Sequence, residues 1–303
     1  MKISRLYPIL LASALTLGTA SVYPVPTQAQ VMQTMDQGQI DWSNGVIKVT
    51  GSGASPSKAG MSNGQKRLMA RRAAQADAYR QLAELIYGVN VDAETIVSNF
   101  VVDSDIVKTK VSGLIKGAKA GDVRYMSDGT VEQDMTLSVH GQNSLSSVLI
   151  PEVIQKKQIK TQPSYPVATP TPNVSIPTPM PTNQTNPVSG SYTGVIVDCR
   201  GLGVEPAMSP QILDNGGQEV YIGDRPIDPD LVVNIGIVGY ANSLQSAKSN
   251  TRIGLNPLIL KANKAGGRNK TDAIISAQDA QTLMQADNKA GFLSQSKVMF
   301  LID

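Results

Sequence analysis

The sequence predicts an α+β protein of two folded units, and three observations carry that prediction. A long amphipathic helix begins at a capping signal near Ser62. An alternating strand hairpin follows it, turning at Asp128-Gly129. After a proline-rich break, short apolar strands alternate with helical stretches to a final run Lys297-Val298-Met299-Phe300-Leu301-Ile302. One helix packed on an antiparallel sheet accounts for the first unit, residues 45–151. A smaller α/β or mixed-sheet layer accounts for the second, residues 192–303.

Ahead of these units, residues 1–29 have the form of a secretory signal. Lys2 and Arg5 supply a basic start and Ile9 to Leu17 an apolar stretch interrupted by Ser13 and Thr16. Pro24 and Pro26 precede Thr27-Gln28-Ala29, with small residues where a signal peptidase cuts. Of 27 basic and 24 acidic residues, Lys2 and Arg5 depart with the leader, so the formal charge falls from +3 to +1. Such a chain has no electrostatic footprint for nucleic acid. No later stretch has the roughly 20 apolar residues a membrane span requires. Export followed by a soluble periplasmic life is the expectation.

The first unit opens with a strand, Gly45 to Gly51, and a Gly/Ser loop continues to Gly60. Ser62-Asn63-Gly64-Gln65 is a capping box, in which the serine hydroxyl accepts from the third helical amide and the glutamine reaches back. The helix runs to Tyr87, and Gly88 fits a left-handed cap. Leu68, Tyr79, Leu82 and Ile86 form one stripe with Ala76 and Ala83 beside it, and Asp77, Arg80 and Glu84 lie opposite. Arg72 and Gln75 fall on the apolar stripe. They read either as a partner contact or as side chains whose stems pack while their heads stay wet, and the second reading is the simpler.

A Val/Ile-rich amphipathic stretch, Ile96 to Val111, leads to the hairpin. Lys116–Met126 pairs with Val131–His140 around Asp128-Gly129, a dipeptide suited to a type I′ turn. Val131, Met135, Leu137 and Val139 point inward with Gln133 as the exception. Glu132, Asp134, Thr136, Ser138 and His140 point to water.

From Gln162 to Ser191 the chain carries eight prolines and no charge, an extended spacer. The second unit begins at Tyr192. Its strands are Val195–Cys199, a hairpin over Gln211–Val220, Leu258–Ala262, Ala273–Ser276 and the terminal run, whose apolarity places it inside the sheet. Ala277–Ala286 is its helix.

Candidate chemistry is sparse. The chain has one cysteine, Cys199, and one histidine, His140. A Cys199-dependent enzyme needs a base within reach, yet His140 belongs to the other unit and Cys199 shares a strand face with Val195 and Val197. Gly51-Ser52-Gly53 with Ser55, Ser57 and Gly60 lacks the lysine–hydroxyl pair of a phosphate loop, and Gly201-Leu202-Gly203 lacks a third glycine opening a helix. Asp214, Asn215, Asp224, Asp228 and Asp230 read as turn residues, too scattered for calcium. No catalytic residue, cofactor or metal site is expected.

The helix Ala70-Arg71-Arg72-Ala73-Ala74-Gln75-Ala76-Asp77-Ala78-Tyr79-Arg80-Gln81-Leu82-Ala83-Glu84, then Ile86-Tyr87-Gly88-Val89, Val111-Ser112-Gly113-Leu114-Ile115-Lys116-Gly117-Ala118 and Tyr125-Met126-Ser127-Asp128-Gly129-Thr130-Val131, together resemble the Lpp-twenty family of bacterial envelope lipoproteins. They also resemble the N-terminal domain of the flagellar assembly protein FlgT. The resemblance spans about 45–151. It implies an exported α+β module without catalysis, with envelope or flagellar proteins as partners. Asp198-Cys199-Arg200-Gly201-Leu202-Gly203-Val204-Glu205-Pro206 looks like an extension found in some exported relatives. Gln30 follows Ala29 where a lipoprotein has cysteine, so the expected product is free of a lipid anchor. Two functional readings follow: a non-enzymatic envelope protein acting by protein contacts, and a periplasmic module that binds a small ligand or a cell-wall component.

Overall fold

The computed structural model describes residues 30–57, 59–160, 191–222 and 227–303, with backbone alone over 157–160. The leader, all but Ser191 of the proline-rich segment, and Asp224 lie outside the described residues. The chain is α+β: helices on an antiparallel sheet in its first half, mixed and parallel sheets in its second.

Two short strands, β1 (Met32–Met35) and β2 (Gly38–Asp41), precede the first expected strand and pair antiparallel. β3 (Val46–Gly53) follows. Helix α1 (Asn63–Tyr87) starts at the expected capping box, where Ser62 Oγ accepts from Gln65 N at 3.2 Å and Gln65 Oε1 from Ser62 N at 2.9 Å. Gly88 ends it with φ −85°, a right-handed conformation rather than the left-handed cap expected; its N–H still donates to the final carbonyls.

The buried stripe of α1 differs from the one read in the sequence. Ala70, Ala74, Ala78, Leu82, Leu85 and Ile86 are buried, whereas Leu68 is 51% exposed. The reason lies in β3. The strand runs past Gly51, where it was expected to end, to Gly53; a Cβ on Gly51 would stand 2.2 Å from Ala74 O and Ala78 N, and one on Gly53 2.2 Å from Ala70 O. Glycines on the strand and alanines on the helix let the two backbones nearly touch, which selects the small-residue stripe over the bulky one.

The Ile96–Val111 stretch forms two helices, α2 (Val97–Asp103) and α3 (Asp105–Lys116), divided at Ser104, whose side chain caps α3. The hairpin is β4 (Lys119–Tyr125) and β5 (Val131–Ser138). Its turn is not type I′. Met126 N donates to Thr130 O at 2.8 Å and Gly129 N to Met126 O at 3.2 Å, and Gly129 (φ +86°) is the turn's left-handed residue. That is a type I turn closed by a glycine bulge. The five strands order β1-β2-β3-β5-β4. A further helix, α4 (Leu145–Lys160), runs through Pro151, where the sequence had ended the unit.

Two of the residues expected to face water, Asp134 and His140, are covered. Asp134 is buried among Arg124 (2.8 Å), Lys48 (3.1 Å) and Thr50 Oγ1 (2.8 Å). The Arg124 guanidinium holds its carboxyl well below the usual carboxylate range, with Thr50 and Lys48 adding to that against the opposing cost of burial. His140 lies just past the strand, at the junction described below.

In the second half, β6 (Gly194–Asp198) leads to a hairpin, β7 (Ile212–Asp214) and β8 (Glu219–Tyr221), as expected. Helix α5 (Pro229–Ile235), β9 (Gly239–Ala241) and α6 (Leu244–Ser249) follow, none foreseen. Next come β10 (Pro257–Lys261), β11 (Lys264–Gly266) and β12 (Asp272–Ile275). Helix α7 (Ala277–Ala290) ends on left-handed Gly291, and β13 (Val298–Leu301) completes the fold. One sheet, β10-β6-β13-β9, is parallel throughout; the other, β11-β12-β7-β8, is mixed. β13 sits inside the parallel sheet with all four residues buried, the place its continuous apolarity assigned it. A single apolar core runs from Ile40 and Leu82 of the first unit to Val197 and Phe300 of the second.

Candidate functional site

The two units are docked on one another, and the junction holds polar side chains in unusual environments, His140 and Arg252 among them. One contact is the loop after α1. Met208 N donates to Asn90 O (3.1 Å), Ser209 N to Val91 O (2.6 Å) and Asn269 N to Ala93 O (2.8 Å). Gly267, at φ +77°, passes so close to Ala93 that a Cβ there would lie 2.2 Å from the alanine methyl. The other contact joins the β2–β3 turn and the end of β5 to α5 and β9. There Gly141 N donates to Val233 O at 2.8 Å, and Trp42 meets the Tyr240 ring edge-on at 5.6 Å. Tyr240 meets Phe300 of β13 edge-on in turn at 6.2 Å. Three aromatic rings therefore run from the only tryptophan into the parallel sheet.

Beside these rings lies a cleft of about 690 Å³ between the units, within the size range of small-molecule sites, which favour such interfaces. His140 stands on its wall. The imidazole is sandwiched between two glycines: a Cβ on Gly236 would lie 2.6 Å from its Cε1, and one on Gly45 3.0 Å from its Cδ2. Its Nδ1 lies 2.9 Å from Ser146 Oγ. Burial, with the Arg252 charge nearby, pushes its pKa down to about 4, so the ring is neutral at neutral pH.

Arg252 is held from behind. Its Nε donates to Ser296 O at 2.7 Å, and its two terminal nitrogens donate to Ile235 O and Gly236 O. Burial pushes its pKa down to about 10, which leaves it charged. Among the described residues no carboxylate pairs with it.

The residues singled out in the sequence do not meet here. Arg72 and Gln75 are exposed on α1. Because the buried stripe is the alanine one, they interrupt no apolar surface. Cys199 is fully buried beyond β6, and burial, with Asp198 beside it, pushes its thiol up to about 12. Its Sγ lies 3.7 Å from Val197 O, whereas His140 pairs with Ser146. Asp214, Asn215, Asp228 and Asp230 serve turns and caps: Asp214 Oδ1 accepts from Gly216 N and Gln218 N, and Asp228 Oδ1 from Asp230 N. Arg252, Asn234 and Asn250 of the cleft stand in short unremarkable loops or helix ends that carry no site signal, and Lys297 reads only as the start of the last strand.

No described helix is long and apolar enough to cross a membrane. A search of curated proteins returned no match to this chain. Two family models match separate parts of it. Residues 194–303, the whole second unit from β6 onward, match the second domain of Treponema pallidum Tp0624. Residues 48–138, from β3 to the end of β5, match the LPP20 lipoprotein family, so the first unit is similar to an LPP20 module.

Proposed function

We propose that the chain is an exported, non-enzymatic envelope protein that acts by protein–protein contact. In this reading it is free of a lipid anchor, and its partners belong to a flagellar or other surface structure. The observation that carries the reading is the docked pair itself. An LPP20-like module and a Tp0624-like module share one apolar core and a hydrogen-bonded junction, so together they present a composite surface that neither has alone. The buried Cys199 thiol and the Ser146-bonded His140 favour a binding role over thiol chemistry.

Capture from intact envelope with the tagged mature chain tests it. Gly267→Val pushes a side chain into Ala93 and should part the junction at that loop. The expected result is a defined envelope partner for the native chain and loss of that partner in the variant, with both units still folded by circular dichroism. Equal capture by the variant would overturn the composite surface. Recovery of the mature protein from the cytoplasm would overturn the envelope reading. Motility and envelope electron microscopy of a deletion strain test the flagellar version.

A further inference from the structure

The lining of the cleft is unusual for what it omits. Lys297 and Arg252 contribute two positive charges, while Asn44, Asn234, Asn250 and Gln295 contribute amides, and among the described residues no aspartate or glutamate lines it. The mature sequence is close to charge balance, so an acid-free wall with two cations is a local segregation of charge. Asp41, which adjoins the lining residue Trp42, is engaged by Asn44, accepting from its N at 3.0 Å and its Nδ2 at 2.7 Å. By contrast, a smaller hollow at α7 of about 350 Å³ carries Asp214 and Glu219 and, among the described residues, no cation.

Burying a cation without a counter-charge is costly. At Arg252 three backbone carbonyls offset part of that cost with partial charges. They use three of the five guanidinium N–H groups, so two donors and the net charge remain. Lys297 has no carboxylate partner among the described residues. The arrangement holds positive charge in place at the side of a ligand-sized cavity whose other polar side chains are uncharged, with four amides, the hydroxyls of Ser43, Ser138 and Thr251, and the His140 ring among them.

We propose that this cleft binds a small carboxylate-bearing ligand rich in amide or hydroxyl groups. The carboxylate lies against Lys297 and Arg252 and the amide side chains pair with the rest. Trp42 and Tyr240 supply an apolar wall. Val46 and Ser138 also line a second hollow of about 650 Å³, bordered by Lys110 and Lys119 and without an acid among the described residues, so a longer acidic ligand continues in that direction. Outside a cell membrane this chemistry has two sources: acidic glycopeptide fragments of the wall, and free acylated amino acids.

Thermal-shift and calorimetric titration of the mature full chain, with muramyl dipeptide, N-acetyl-L-glutamate and inorganic phosphate as separate probes, distinguishes them. A ligand that binds only the folded state raises Tm with concentration. The expected result is binding of muramyl dipeptide, of N-acetyl-L-glutamate, or of both, above that of phosphate; the stronger of the two names the source. Lys297→Gln should weaken that binding about tenfold, the size of a charged hydrogen bond, without moving the ligand-free Tm. Lys289→Gln, at the far end of α7, should leave it unchanged. Binding of no probe, phosphate binding as tight as the carboxylates, or equal affinity in Lys297→Gln would each overturn the proposal. Those results leave envelope capture unaffected, so the two readings fail independently.

Discussion

The antiparallel sheet of the first unit and the parallel sheet of the second solve the same burial problem in opposite ways. β5 keeps one face against the core while its other face carries the Asp134–Arg124–Lys48 ion cluster. β13 is buried on both faces, with Met299 and Leu301 in one apolar cluster and Val298 and Phe300 in another. The first sheet is covered closely by a helix of alanines seated on glycines. The second is packed by bulk, with the Phe300 ring wedged behind Tyr240. One half depends on close approach and the other on volume, so they should fail to different substitutions.

The largest effect is expected from removing that volume. Phe300→Ala should destabilise the chain by about 3–5 kcal/mol. Because Phe300, Tyr240 and Trp42 form one aromatic line, Trp42 fluorescence should report the loss in urea titrations. A Trp42 transition unmoved by Phe300→Ala would break the link between the second core and the junction.

The junction itself should be acid-sensitive. His140 titrates at about 4 in the folded chain against an ordinary 6.5. As pH falls, the unfolded chain takes up the proton first. The stability this neutral ring confers is therefore complete above pH 6.5 and lost progressively between 6.5 and 4, about 3 kcal/mol in all. His140→Gln should flatten that limb of the stability–pH curve, while the loss from protonating Asp134 remains at lower pH. An unchanged slope between pH 6.5 and 4 in the variant would place the acid sensitivity elsewhere.

Close approach can be tested at Gly51. Gly51→Ala puts a methyl onto the α1 backbone and should cost about 1–3 kcal/mol, read as a lowered urea midpoint. The same substitution at Gly113, where a Cβ meets nothing within 4 Å, should be neutral or slightly stabilising because it lies in α3. Equal effects at the two glycines would remove the close-packing account of α1.

Much of the fold was legible where the signal is local. The capping box at Ser62, the hairpin about Asp128-Gly129 and the buried run at 298–301 depend on neighbours in sequence, and each stands where its pattern put it. Errors arose where a distant partner decides. Leu68 looked like core by spacing, but Gly51 and Gly53 draw Ala70, Ala74 and Ala78 inward instead. Asp134 and His140 looked solvent-facing by alternation, and Lys48 with Arg124 covers one while the second unit covers the other. Short elements such as α5, β9 and α6 escaped because three to seven residues carry too little periodicity to register.

By itself the sequence determined the α+β class, the start of the long helix, the interior place of the last strand and the charge balance of the chain. These follow from local hydrogen-bond chemistry and apolar patterning, which the chain carries wherever it folds. Only the tertiary structure decided which helix face is buried, that the two units dock, and that Arg252, Lys297 and four amides line one cleft without an acid among the described residues. Those features join residues as far apart as Asn44 and Lys297, and no local rule relates side chains that the fold alone brings within reach.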